Sequence, residues 1–325
     1  MENLTEKMTI GGANQTSWAT NITEKGNCDK KLKQIFWIVN GILAVIVLTG
    51  NVFTCVIFLS TKRLRQQHMN IFLVSLAVSD ILMALVVVPG YTAVCAGCKY
   101  LSSDKCWILA QTKDIVFSST FCSLLAITYD RYLAVLCPLQ YSAKMNRRKV
   151  TGIIVFIWVF PVLVAIARNI WWQTQSEEKA KEINKVYNAI LVFILVLIPA
   201  FIMAFVNALI FRVIRSQRRR IIPRIEQSSS ISQGEMCNVE KRTENSQKRK
   251  GTIACVVVVL VFVFSWIPRS IYNFAYVFGR DDLVTPLLVN LSMFFLLLQS
   301  CTNPIIYSFY RADFRQAAKR ILWCT

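Results

Sequence analysis

The stretch that decides the fold is Cys106–Pro138, CWILAQTKDIVFSSTFCSLLAITYDRYLAVLCP. It opens on a cysteine and a tryptophan. It continues as a long apolar run broken by Lys113, Asp114 and a hydroxyl band at Ser118, Ser119 and Thr120, and it ends in Asp130-Arg131-Tyr132. More than thirty residues pass before a proline. As a helix that is about 45 Å at 1.5 Å per residue, longer than a hydrocarbon core of about 30 Å. One end should therefore reach water with a charged Asp-Arg pair and the other with a cysteine, so the helix connects two sides of a membrane.

Composition supports that setting. Of 325 residues, 55% are hydrophobic, and the mean hydropathy is +0.46. Such a chain is a polytopic membrane protein rather than a soluble domain. The net charge of +19 would suggest nucleic acid in a soluble protein. Here the basic residues cluster between apolar runs, so the expected partner is anionic membrane lipid and not nucleic acid. A single histidine, His68, leaves a histidine metal site or a catalytic triad almost nothing to work with. The eleven cysteines form no paired CxxC pattern; Cys95 and Cys98 lack two further ligands nearby.

Seven apolar runs are long enough to span: roughly 35–59, 69–94, 107–136, 150–171, 186–214, 252–277 and 284–309. None alternates with period two, which disfavours a β-barrel. The segments 60–68, 137–149, 215–250 and 310–325 hold 21 Lys/Arg, whereas 93–105, 168–185 and 278–283 hold seven, offset by six acids. Positive-inside logic places the first set in the cytoplasm and the N-terminus outside. Three glycosylation sequons, at Asn3, Asn14 and Asn21, point the same way independently. No basic start precedes an apolar run, so the first span is expected to act as an uncleaved signal anchor.

The expected organisation is an extracellular glycosylated tail over 1–34, a seven-helix transmembrane bundle over 35–309, and a short cytoplasmic tail over 310–325. The fold class is all-α, a seven-transmembrane helix bundle with an amphipathic C-terminal helix. Within the bundle, 215–250 reads as a long, solvated third cytoplasmic loop with Ser228, Ser229, Ser230 and Ser232 at its middle. In the tail, Phe314, Ala318, Ile321 and Leu322 fall near one face with Arg311, Arg315, Lys319 and Arg320 around them, as in a helix lying in the membrane interface. Cys324 is either a palmitoylation site or a free thiol.

A charge inside a span is costly and is a functional candidate by default. Asp80 in LAVSDILMAL is the clearest case. Asn51, Thr120, Ser300 and Asn303 lie at similar depth on other spans. One carboxylate with neutral oxygens describes a small monovalent-cation site; a water-filled hydrogen-bond network is the alternative.

At this point the chain resembles the rhodopsin-like (class A) G-protein-coupled receptors over nearly its whole length. One marker falls in each span, in order: Gly50-Asn51; Leu76-Ala77-Val78-Ser79-Asp80; Cys106 with Asp130-Arg131-Tyr132; Trp158; Pro199; Phe262-x-x-Ser265-Trp266-Ile267-Pro268; and Asn303-Pro304-Ile305-Ile306-Tyr307. The spacing from Cys106 to Arg131 also matches. The resemblance implies a cell-surface receptor that binds an extracellular small-molecule or peptide ligand and activates a heterotrimeric G protein as the sixth helix swings outward about Trp266 and Pro268. Asp130, Arg131 and Tyr132 would form the coupling end, Phe121, Pro199 and Phe262 the core switch, and Asn303, Pro304 and Tyr307 the inward-turning element. Sodium at Asp80, Thr120, Ser300 and Asn303 would be an allosteric ion, and no other cofactor is implied. Arrestin and receptor kinases would engage the 215–250 loop. Pro199, Pro268 and Pro304 each remove a backbone hydrogen bond and read as bendable points or as static kinks.

Several departures matter. The family usually bonds a cysteine of the second extracellular loop to the head of the third helix; RNIWWQTQSEEKAKEINK has none. Cys106 would pair with Cys28, the first choice, or with Cys95 or Cys98, or stay free. Asn207 replaces a tyrosine that supports the active state. Lys248 stands where some members have an acid that locks Arg131, which implies raised basal activity. Amine receptors place an aspartate at the position of Lys113; here the acid is Asp114, rotated by 100°. The resemblance puts Lys113, Asp114, Phe117, Trp266, Arg269, Asn273 and Met293 around the ligand cavity. Either Asp114 and Arg269 form an internal ion pair while Lys113 extends to the rim, or Lys113 and Arg269 hold a ligand carboxylate or phosphate. An amine held by Asp114 and Phe117 is a third option. Leu297 occupies the position of the opsin retinal lysine, which excludes a Schiff base. A transporter or channel would call for internal repeats, broken helices or charged pore rings, and an enzyme for a catalytic constellation; the sequence has neither.

Overall fold

The structure is a computed structural model and describes residues 30–90, 103–227, 250, 252–254, 256–280 and 282–323. The sequons at Asn3, Asn14 and Asn21, together with Cys28, Cys95, Cys98, the loop serines, Lys248 and Cys324, lie outside the described residues, as does the side chain of Cys106. Seven long helices and one short one carry the described chain. They are α1 (Lys30–Ser60), α2 (His68–Leu82, continued by Met83–Val87), α3 (Ser103–Leu136), α4 (Arg147–Thr174), α5 (Glu177–Leu191, Val192–Leu197 and Ile198–Gln227), α6 (through Thr252–Ala275), α7 (Pro286–Tyr310) and α8 (Ala312–Leu322). Six of them are individually long and apolar enough to cross a membrane. The third, which carries Lys113, Asp114, Asp130 and Arg131, makes a seventh when taken with the segment Pro138–Lys144, bent from it by 114°.

The helices close a ring. α1 packs on α2 and α7, α6 on α5 and α7, and α3 sits among α2, α4 and α5. Polar side chains knit α3 to its neighbours where lipid supplies no partner. Ser75 on α2 bonds Ser123 on α3 at 3.0 Å, and Trp158 on α4 donates from Nε1 to the Ser75 hydroxyl at 3.2 Å. The face turned away from the ring stays apolar: Val155 and Phe156 on α4 and Phe193, Phe201 and Phe205 on α5 are all more than half exposed, as lipid-facing residues should be. Gly50 lets α1 approach α7 closely; a Cβ there would meet Pro304 Cγ at 3.0 Å.

Prolines mark the irregular turns. The five π-helical residues Met83–Val87 precede Pro89, and the six of Val192–Leu197 precede Pro199. A wider turn there accommodates a proline, which donates no amide hydrogen and whose ring crowds the preceding turn. In α6 the regular helix breaks at Trp266, two residues before Pro268, although Trp266 N still donates to Phe262 O at 3.1 Å. α6 ends at Gly279, whose φ of 65° is left-handed, and Arg280 N donates back to Ala275 O at 2.8 Å. Beyond it, hydrogen bonds from Arg280 hold the carboxyl of Asp282 below its usual range. Thr285 caps α7 by accepting from Leu288 N at 3.2 Å, with Pro286 at its first turn.

Two boundaries differ from expectation. The segment 168–185 is not a loop. α4 continues to Thr174 and α5 starts at Glu177, so Gln175 and Ser176 alone join them. The cause is legible afterwards: no Gly or Pro occurs between Pro161 and Pro199, Glu, Lys and Ala dominate 177–182, and Ser176 takes the extended N-cap conformation. At the other end, α5 stays helical through Gln227, so residues 215–227 of the segment expected to be a loop are helix. α8 forms as expected, but its inward face is Phe314 and Ala317, with Ala318 and Ile321 packed beside them, while Leu322 is 63% exposed.

Candidate functional site: a charge cluster, an aromatic relay and an arginine lock

The outer site is built on α3. Lys113 and Asp114 are neighbours, and the Lys113 ammonium lies 3.6 Å from the Asp114 carboxylate. The ion pair expected between Asp114 and Arg269 is replaced by another: Arg168 on α4 donates to Asp114 at 2.7 Å. Arg168 also donates from Nε to Asn184 Oδ1 on α5 at 3.0 Å. Nearby, the Tyr187 hydroxyl donates to Val164 O at 2.6 Å. One carboxylate is thus shared by two cations. Lys113 turns toward Asp114 instead of reaching the rim.

Arg269 stands apart from this pair. Its guanidinium lies 4.8 Å from the Tyr272 ring centre and 5.8 Å from that of Phe117. Among the described residues, no carboxylate comes within ion-pair distance of it. Aromatic faces attract a cation through their quadrupole and leave its N–H edge available. Met293 is buried and Asn273 half-buried, and no hydrogen bond or ring contact among the described residues ties either to Lys113 or Arg269.

From Phe117 onward, buried rings form a relay. Phe117 meets Trp266 edge-on at 5.4 Å, Trp266 meets Phe121 at 4.4 Å, and Phe121 meets Phe262 at 4.7 Å with planes at 86°. The rings alternate between α3 and α6, so a shift of Trp266 is felt by close-packed neighbours. Pro199 is buried on α5. Asn207 is buried too, and its amide donates to Met203 O at 2.7 Å.

Beside the relay lies the intramembrane carboxylate. Asp80 is 1% exposed. It accepts from the Ser300 hydroxyl at 2.6 Å and from Asn303 Nδ2 at 2.7 Å, both on α7. Asn51 Nδ2 reaches Ser300 O at 3.2 Å, linking α1. The Thr120 hydroxyl donates to Val116 O within its own helix at 3.0 Å, a bond that uses its proton and not its oxygen lone pairs. Three buried oxygens among these elements, Asn51 Oδ1, Asn303 Oδ1 and Ser119 Oγ, have no hydrogen-bond partner. One carboxylate with several orphaned oxygens fits a small monovalent cation.

At the opposite end of α3, Arg131 donates from Nε to Asp130 Oδ2 at 3.0 Å, and its terminal nitrogen contacts the same oxygen. Tyr141, in the helix Tyr141–Lys144, donates to the other oxygen at 2.8 Å. The fully buried Asp130 thus holds Arg131 in place. Tyr307 is buried against Phe58 at 6.2 Å and Phe314 at 6.3 Å. Tyr132 is half-buried. α8 is tied on by Arg311, 4% exposed, which donates to Asn70 Oδ1 at 2.6 Å and sits 5.4 Å over Phe58. Partial burial raises the Asp313 carboxyl, but hydrogen bonds and charge from Arg311 outweigh it and hold that group below its ordinary value.

Sequence reasoning missed Arg168, Tyr141 and Arg311 as functional partners. Arg168 lies where the apolar run 150–171 overlaps the charged segment 168–185, and the rule that flags Asp80, a charge within a span, applies to it as well. Nothing in sequence pairs Arg311 with Asn70.

A family model for the 7 transmembrane receptor (rhodopsin family) matches residues 50–307. The D(1C) dopamine receptor of Xenopus laevis is 28% identical, over 98% of this chain and 74% of its own length. The human histamine H2 receptor is 27% identical, over 88% of this chain and 79% of its own length, and the D(5)-like dopamine receptor of Takifugu rubripes is 30% identical over 87% and 65%. These receptors are signalling proteins of the membrane and not enzymes. With the ring of helices and the Asp130–Arg131 lock already in place, the match identifies the chain as a multi-pass G-protein-coupled receptor that belongs to the rhodopsin family.

Proposed function

We propose that this receptor sits in the plasma membrane with its N-terminus outside and that its ligand is a small molecule carrying an acidic group, held by Lys113 and Arg269. One observation carries the reading: Asp114, the acid nearest the cavity, already answers Arg168 and Lys113. The spans hold few other acids, chiefly Asp80 and Asp130, and both are engaged elsewhere. An incoming ammonium would have to displace Arg168, whereas a carboxylate or phosphate meets cations whose charge exceeds the local supply of acid. Each charge-assisted hydrogen bond formed there contributes about 1.5–3 kcal/mol.

Binding beside Phe117 and Trp266 shifts the relay, releases α6 outward about Pro268, and frees Arg131 for the G protein while Tyr307 leaves its ring cage. Asp80, Ser300 and Asn303, with Asn51 and Ser119, hold sodium in the resting state, where the ion would supply the positive charge that the buried carboxylate lacks. Arrestin and receptor kinases use the loop that follows α5. Asn3, Asn14 and Asn21 carry glycans, and Cys324 a palmitoyl chain. The second reading, an amine ligand bound by Asp114 and Phe117, draws on relatives whose names are those of dopamine and histamine receptors.

The test is G-protein activation across a panel of amines, organic acids, phosphates and short peptides, with Lys113→Ala and Arg269→Ala alongside. Responses to acids that vanish in both variants support the reading. Responses to amines that survive both variants and vanish in Asp114→Asn overturn it.

A further inference from the structure

The charge around Phe117 is unevenly answered. Lys113, Arg168 and Arg269 bring three cations to this end of the bundle, Asp114 is the one carboxylate that any of them meets among the described residues, and the excess is two positive charges. The charges of Arg168 and Arg269 both bear on Lys113. We propose that the ligand is a small dicarboxylate, two acidic groups joined by a short apolar spacer, with one group at Lys113 and the other at Arg269. The proposal rests on the acidic-ligand reading above and narrows it from one acidic group to two.

Restraint is the first argument. Arg168 is engaged twice, donating to Asp114 at 2.7 Å and to Asn184 at 3.0 Å. Lys113 is drawn to the same carboxylate at 3.6 Å, and therefore toward α4. Its ammonium has three donors, and a carboxylate already shared with Arg168 does not answer them all. Arg269 is held in a different direction. Its guanidinium lies 4.8 Å from the ring centre of Tyr272, a neighbour on α6, and 5.8 Å from that of Phe117. Ring faces hold the guanidinium plane and leave its N–H edge for an acceptor. A single carboxylate that reached both cations would have to pull one of them from its restraint. Two carboxylates meet both where they stand.

Spacing is the second argument. Lys113 and Phe117 are one helical turn apart on the same face of α3, with Cβ atoms about 6 Å apart. Arg269 reaches the Phe117 ring from α6. Phe117 in turn meets Trp266 edge-on at 5.4 Å. The wall between the two cations is therefore aromatic, and it suits methylene groups better than a further polar group. Charge is the third argument. The side chains of Lys113 and Arg168 are only 25% and 21% exposed, so water screens the excess incompletely. A monocarboxylate leaves one positive charge unanswered, and a dicarboxylate leaves none.

The experiment melts the purified full-length receptor at neutral pH with glutarate, monomethyl glutarate or propyl phosphate, and takes each affinity from the concentration dependence of Tm. The half-ester keeps the length and removes one charge. The unaltered receptor should bind it on the order of 10- to 100-fold more weakly than glutarate, the loss of one charge-assisted contact. In Lys113→Gln and in Arg269→Gln that preference should fall to about twofold, the statistical advantage of two equivalent carboxylates over a single remaining cation. Propyl phosphate, with its charge on one group, should bind more weakly than glutarate. Equal binding of glutarate and the half-ester, a preference that survives either variant, or propyl phosphate matching glutarate would each overturn the dicarboxylate and leave the acidic-ligand reading standing. The first and third comparisons use the unaltered receptor and need no variant to fold. If none of the three acids raises the Tm at millimolar concentration, the proposal falls. If pentylamine raises it instead, the reading beneath it falls as well.

Discussion

Neutralising Arg168 should cost less than neutralising its partner Asp114. Asp114 answers Arg168 at 2.7 Å and Lys113 at 3.6 Å, while Arg168 keeps Asn184 as a second acceptor. In Arg168→Gln the carboxylate retains Lys113 and the glutamine amide can still donate. In Asp114→Asn two cations face each other with no acid between them. The carboxylate side chain is 38% exposed and that of Arg168 21%, so the full penalty of a buried broken pair does not apply. We expect about 1 kcal/mol for Arg168→Gln and about 2–3 kcal/mol for Asp114→Asn. At about 2–4 °C per kcal/mol, the Tm of the purified receptor should fall by about 3 °C and about 6–9 °C respectively. The double variant Arg168→Gln/Asp114→Asn should lose less than the sum, with about 1 kcal/mol of coupling. A dye-based melting curve in detergent measures all three. If Arg168→Gln is the more damaging single change, or if the two effects simply add, the shared-carboxylate account of the outer site is wrong.

Other expectations follow from the same geometry. Arg131→Ala should abolish nucleotide exchange on the G protein with surface expression largely intact; unchanged exchange in membranes would break the link between the Asp130–Arg131 lock and coupling. Gly50→Ala should destabilise by about 1–3 kcal/mol, because its methyl would meet Pro304 at 3.0 Å; the melting curve tests it, and a neutral result would mean that α1 and α7 yield freely. For the ion, exchanging sodium for N-methyl-D-glucamine should lower the Tm of the unaltered receptor and leave that of Asp80→Asn unmoved, whereas an equal shift in both would leave the carboxylate as part of a hydrated network only.

The membrane explains what was legible in the sequence. Lipid forbids unpaired backbone, so the spans announce themselves as apolar runs, and the Arg/Lys bias orders the loops between them. Phe121 and Phe262 could be named as switch positions, and Trp266 as a pivot, because the resemblance to the receptor family supplies them. The pairings Arg168–Asp114, Tyr141–Asp130 and Arg311–Asn70 could not. Each joins residues on different helices, and the match depends on depth and rotation, which one-dimensional order does not carry. The helical 168–185 segment is an intermediate case. Its lack of Gly and Pro was visible, but its charges were read as a sign of loop.

The two-residue join between α4 and α5 also has a mechanical meaning. At 1.5 Å per residue, the 28 residues of α4 extend about 42 Å, so its outer end stands beyond a core of about 30 Å. Arg168 with Asn184, and Tyr187 with Val164, fasten the hairpin's two arms together. The arms therefore move as one lever. Its fulcrum on the α5 side is the widened turn Val192–Leu197 above Pro199. A change at the join would therefore be felt by α4 and α5 together, and the irregular turn is the place on α5 where the paired segment ends.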